Sequence, residues 1–344
     1  MGDLKGGVFS KLIKGLALWT FFYPVRWFIQ CLPWRISPGI GNILGSVHVL
    51  FISDKLKRQI RDGIHAVWQD RLTKKEISHI VRLNLVIRYK YLIDSFLYPH
   101  LDKNVVQRIV PEIEGKSYLD EEIRCGRGSI LLMSHFGSFG MLIAGLVFRG
   151  YRVHQILTLT PQSQYRTWQW LERAIMKAKL HCWEHEKVVY EFWQPGMYLR
   201  PLYRKLQQGE ILVIYGDGAK GGEFTKVSFM GHPLLLATGP FRIAARARVS
   251  LIPAFIIRET DNTHRIVLEK PILLREDDPE SITLAAGQYA SLLARYVQTY
   301  PDHWFTWARL RWATRERDRW LEFASGKTDS SEFYDPIGQN VGAG

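Results

Sequence analysis

Ser129-Ile-Leu-Leu-Met-Ser-His-Phe-Gly-Ser-Phe-Gly140 is the stretch on which the fold turns. Its first half, Ser129 to Ser134, is a continuous apolar run rather than an alternating one, which predicts a central strand covered on both faces. A helical pattern follows at once in Met141 to Gly150. Ile211-Leu-Val-Ile-Tyr215 repeats the theme and leads into Gly216-Asp217. Between and after these lie Val-His-Gln-Ile-Leu-Thr-Leu, an amphipathic stretch from Tyr165 to Leu180, Phe-Arg-Ile-Ala-Ala-Arg-Ala-Arg-Val, Ser-Leu-Ile-Pro-Ala-Phe-Ile-Ile-Arg and His-Arg-Ile-Val-Leu-Glu-Lys-Pro-Ile. Short apolar strands interleaved with helices predict an α/β fold, a mainly parallel sheet with helices on both faces.

In such a sheet, catalytic groups gather where the strands end. His135 stands at one such end, with Gly137 and Gly140 allowing close backbone approach, and Asp217 stands at another. A neutral imidazole at this place can take a proton from an attacking hydroxyl. The amides around Phe136, Gly137 and Ser138, where a helix begins, are candidates to face a developing oxyanion. Asp217 opens a Gly-rich segment, Gly218 to Gly222, with Lys220 inside it and Lys226 beyond. It reads as a flexible basic loop able to approach phosphate. The spacing of a Walker loop is absent.

The 344 residues carry 46 Lys and Arg against 33 Asp and Glu, a formal charge of +13 that calls for anionic partners. With 12 Trp, many beside basic residues, an anionic membrane surface fits better than an acidic carrier protein. Nucleic acid ranks last, since no nucleic-acid motif is present. Cys31, Cys125 and Cys182 lie far apart without Cys-x-x-Cys spacing, so no disulfide framework or zinc cluster is written here.

The uncharged run Gly15 to Val25 is too short for a spanning helix, and Ile36 to Ser53 is broken by Pro38, Asn42, His48 and three glycines. An interfacial helical region over residues 1–53 is the expectation. Helix is predicted from Asp54 to about His100, with Thr73 and Glu76 as a capping box. After Glu280 comes a helix closed by Pro301 and an aromatic-basic segment. Residues 54–324 are expected to form one α/β domain, and 325–344 a disordered tail.

Several motifs in order resemble the bacterial lipid A biosynthesis acyltransferases, lauroyl and myristoyl transferases of the lysophospholipid acyltransferase superfamily. They are His135-Phe136-Gly137-Ser138-Phe139-Gly140, Asp217, Phe229-Met230-Gly231-His232-Pro233, Thr238-Gly239, Leu251-Ile252-Pro253 and Pro301-Asp302-His303-Trp304-Phe305-Thr306-Trp307-Ala308-Arg309-Leu310-Arg311-Trp312. The resemblance implies a glycerol-3-phosphate acyltransferase-like fold and acyl transfer from acyl carrier protein or acyl-CoA to the hydroxyl of a lipid A-like glycolipid or phospholipid. It implies a place on the cytoplasmic face of the bacterial inner membrane, and no metal or cofactor. A basic residue on the helix before the middle strands is also implied, here Arg173, with Arg166 and Lys177 as alternatives.

The family's pattern is His-x4-Asp/Glu, and this chain has Gly140 where the acid belongs. Three explanations remain open: Asp217 orients the imidazole, water or a backbone carbonyl does so in a slower enzyme, or the chain binds lipid without turning it over. Trp304, Trp307 and Arg311 read as packing and interface residues. A thioesterase using water as acceptor is a further alternative to the transferase.

Overall fold

The computed structural model describes residues 16, 19–51, 54–158, 188–193, 199–217 and 223–308. The Tyr165 to Leu180 stretch, Arg173, Gly218, Lys220 and the 325–344 tail lie outside the described residues.

Helices precede the sheet. After a short helical segment, Arg26–Gln30 (α1), come Ser37–Phe51 (α2), Asp54–Trp68 (α3) and Lys74–Leu97 (α4). Thr73 caps α4 as expected: its Oγ1 accepts from the Glu76 amide at 3.3 Å, and the Glu76 carboxylate accepts from the Thr73 amide at 2.7 Å. None of the helices among the described residues is long and apolar enough to cross a membrane.

The rest alternates. Short helix Lys103–Ile109 (α5) leads to strand Glu112–Glu114 (β1) and helix Lys116–Arg124 (α6). Then come Ser129–Met133 (β2), Phe139–Val147 (α7), Val153–Thr158 (β3), Val188–Trp193 (β4), Arg200–Gln207 (α8) and Ile211–Tyr215 (β5). A hairpin, Phe224–Phe229 (β6) with His232–Ala237 (β7), precedes Gly239–Ala247 (α9), Ser250–Arg258 (β8), His264–Leu268 (β9) and Pro279–Thr299 (α10).

Seven strands form one sheet in the order β1-β9-β8-β2-β5-β3-β4. Every pairing is parallel except β8 with β9, joined by a short turn. The α/β fold with a mainly parallel sheet is therefore what the apolar runs said. β2 lies centrally between β8 and β5, and all five of its residues are buried. Alternate residues serve opposite layers: Ile130 and Leu132 pack in one core with Leu293 and Phe241, Leu131 and Met133 in another with Leu142 and Leu146. Two covered faces demand an unbroken apolar strand, hence Ile-Leu-Leu-Met.

Lys226 corrects one expectation: it is not part of a flexible loop but sits in β6, opposite Leu235 of β7. The hairpin lies against α10, with Thr225 and Thr283 hydroxyls 2.7 Å apart.

The N-terminal helices are fused to this body. α2 crosses α4 at two glycines, where a Cβ on Gly41 would lie 3.0 Å from Lys90 Cα and one on Gly45 2.9 Å from Val86 Cα. Only glycine lets the two backbones approach so closely. Ile36, Ile43 and Val47, spaced seven and four residues apart, are exposed, as are Trp27 and Phe28 on α1.

Candidate active site

The register of the sheet places the two predicted residues side by side. Met133 pairs with Tyr215 at the carboxyl ends of β2 and β5, and His135 and Asp217 each stand two residues further on. The Gly216 amide donates to Met133 O at 2.7 Å, which keeps the two strand exits together.

His135 Nδ1 is 2.8 Å from Asp217 Oδ1, and the His135 amide donates to Asp217 Oδ2 at 2.9 Å. Oδ2 also accepts from Trp304 Nε1 at 3.0 Å and from Thr306 Oγ1 at 2.8 Å. An ionised carboxylate only accepts, so the three donors on Oδ2 match the charged form, and against it Nδ1 serves as the ring's donor. Burial alone would push the Asp217 carboxyl up. The His135 charge, its two hydrogen bonds and the Thr306 hydroxyl outweigh that and hold it below the usual 3.8. When the ring is unprotonated, a hydrogen on Nδ1 facing Asp217 leaves the lone pair on Nε2. The side chain of His135 is 14% exposed and that of Asp217 2%, so the ring is reachable while its partner is sealed.

The other residues of the loop face inward, which corrects their expected substrate contacts. Phe136 is buried against Phe255, Tyr296 and His303. Its amide donates to Ser134 O at 2.7 Å and that of Gly137 to His303 O at 2.8 Å, so neither N-H is free for an oxyanion. Gly137 has φ +56, and a Cβ there would collide with Ile256 O. Ser138 donates to Asp94 Oδ2 at 2.6 Å and accepts from Arg258 Nη2 at 2.9 Å, within an Asp94–Arg258 ion pair. Burial pushes the Asp94 carboxyl up against the pull of Arg258 and Ser138. Ser138 is thus a buried tie rather than a ligand. Among the described residues, the amides of Ser138, Phe139 and Gly140 at this helix start donate to no backbone carbonyl outside the helix.

Gly140 shows why the family acid has no place here. A Cβ on it would overlap the Tyr98 phenol, 2.7 Å from its Cε2 and Cζ and nearer still to its oxygen. The carboxylate that meets the His135 ring here is that of Asp217, at the exit of the neighbouring strand.

Trp304 and Thr306, which sequence reasoning took as packing or passed over, are held by α4. Asn84 Nδ2 donates to Asp302 O and Trp304 O at 2.8 Å each, and Arg88 donates to Phe305 O. The Phe305 amide donates to His135 O at 2.8 Å. The Pro-x-x-Trp segment was visible as a motif, but nothing in it names a carboxylate 87 residues away. Tyr215 was likewise missed; its ring stacks on His135, with centroids 4.5 Å apart.

The sequence profile of the bacterial lipid A biosynthesis acyltransferases matches residues 8–314. None of the curated proteins matches the chain. With that match over most of its length, the chain belongs to the bacterial lipid A biosynthesis acyltransferase family and is an acyltransferase.

Proposed function

We propose that the protein moves a fatty acyl group from acyl carrier protein or acyl-CoA onto a hydroxyl of a lipid A-like glycolipid or phospholipid, with His135 as general base and Asp217 as its orienter. The observation that carries this is the 2.8 Å contact between His135 Nδ1 and the sealed Asp217 carboxylate. His135 Nε2 takes the hydroxyl proton as the oxygen attacks the thioester carbonyl. The C–O bond forms, the C–S bond breaks, and the imidazolium returns the proton to the departing thiolate. The amides at the start of α7 are the donors nearest in sequence for the oxyanion, with the positive end of the helix behind them.

The reaction is placed at the cytoplasmic face of the bacterial inner membrane. Support comes from the exposed apolar side chains Trp27, Phe28, Ile36, Ile43 and Val47 of the N-terminal helical region, on a chain of charge +13. Lys220 and Gly218, in the segment after Asp217, and Arg173 are proposed contacts for phosphate or other acidic substrate groups. The reading of a lipid binder without turnover rested on Gly140, and the Asp217 contact supplies the acid which that position lacks.

The test is acyl transfer by the purified protein, given acyl carrier protein or coenzyme A thioesters and lipid acceptor vesicles. His135→Ala abolishes product while vesicle association survives. Free fatty acid released at one rate with and without acceptor would establish a hydrolase instead.

A further inference from the structure

Tyr215 closes β5, and its ring lies flat on the His135 imidazole, planes inclined by 18°. Phe139 meets the same imidazole edge-on at 5.6 Å and the Tyr215 ring edge-on at 5.6 Å. The phenol is itself anchored, because Nε2 of the buried Gln155, on β3, donates to Tyr215 Oη at 3.0 Å. Gln155 pairs with Val213 across the β3–β5 register, which puts its amide within reach of a side chain two residues on.

These contacts answer a mechanical need. The hydrogen bond to Asp217 fixes one ring nitrogen but leaves the imidazole able to swing about that contact. A flat neighbour on one face and an edge on another remove the swing, so Nε2 keeps one direction. The same face then lies under the positive charge that the ring acquires when it takes a proton, an arrangement aromatic rings favour.

We propose that Tyr215 is a positioning residue whose ring fixes the plane of the His135 imidazole during acyl transfer. The inference rests on His135 being the general base.

The experiment compares Tyr215→Leu, Tyr215→Phe and Gln155→Met in the full-length protein. It measures kcat and KM for acyl transfer, thermal melting, and the ¹⁵N resonances of His135 at pH 8, assigned by their loss in His135→Ala. Tyr215→Leu lowers kcat about tenfold with KM within about twofold, the scale of one lost ring contact in a desolvated site. Its Nδ1 resonance, held by Asp217, stays in place, while the Nε2 resonance shifts and broadens as the ring swings about that contact. Tyr215→Phe keeps the ring and so retains kcat to within about threefold, with wild-type resonances, and Gln155→Met behaves like it. Wild-type kcat in Tyr215→Leu, or a Tyr215→Phe as impaired as Tyr215→Leu, overturns the proposal. Full turnover by His135→Ala instead removes the general-base reading beneath it, so the two failures are told apart.

Discussion

The indole N-H of Trp304 points at the carboxylate of Asp217, 3.0 Å from Oδ2, across 87 residues of chain. With Thr306 it brings the last described segment of the protein into the shell of donors that keeps this buried acid ionised. Replacing Thr306 by Val removes one donor and leaves the shape. A hydrogen bond to a charged group contributes about 1.5–3 kcal/mol, so Thr306→Val is expected to lower stability and turnover on that scale, checked by melting and by kcat.

Asp217→Asn keeps the size of the side chain but offers an N-H where an acceptor is needed. The imidazole is then driven to the wrong tautomer. Loss of turnover on the order of 10³ to 10⁴ is expected, with the fold retained by circular dichroism.

Acid should act on stability through the same group. The Asp217 carboxyl is held below its usual 3.8 in the folded protein, so its contribution is complete above that value. It is lost as pH falls through the lower, folded one. In acid titration of the melting temperature, Asp217→Asn should therefore lack part of the decline seen in the wild type below about pH 4.

Gly140→Ala puts a methyl group into the Tyr98 phenol and is expected to cost about 1–3 kcal/mol by overpacking. In a Tyr98→Leu background the same change should cost less, and a double-mutant cycle of denaturant unfolding measures the difference. Additive costs would show that the two side chains do not meet.

Ile43→Ser with Val47→Ser alters exposed side chains only, so the melting temperature should hold while sedimentation with anionic vesicles falls. Unchanged vesicle binding would refute the assigned docking face.

The central strands were legible because burial on two faces leaves a mark within the strand itself. Ile130 to Met133 and Ile211 to Tyr215 are apolar without interruption, and both strands are where that pattern puts them. His135 and Asp217 were legible for a related reason, since a polar residue just after such a run stands at a strand exit. Their pairing depended on the β2–β5 register, which no local pattern encodes. The inward turn of Phe136 and Ser138 was hidden too, because it is set by Asp94 and Arg258, distant in sequence. The β6–β7 hairpin was missed where Gly-rich composition and Lys226 suggested an open loop.

The glycine seam between α2 and α4 bears on how the protein can be shortened. α4 carries Asn84, Arg88 and Asp94, which hold the Trp304 segment and the floor of the His135 loop. A chain begun at Asp54 would strip α2 from the helix on which both of these hang, baring Val86 and the stem of Lys90 to water. Truncation at the apparent edge of the catalytic domain would thus damage the imidazole's supports along with the proposed anchor.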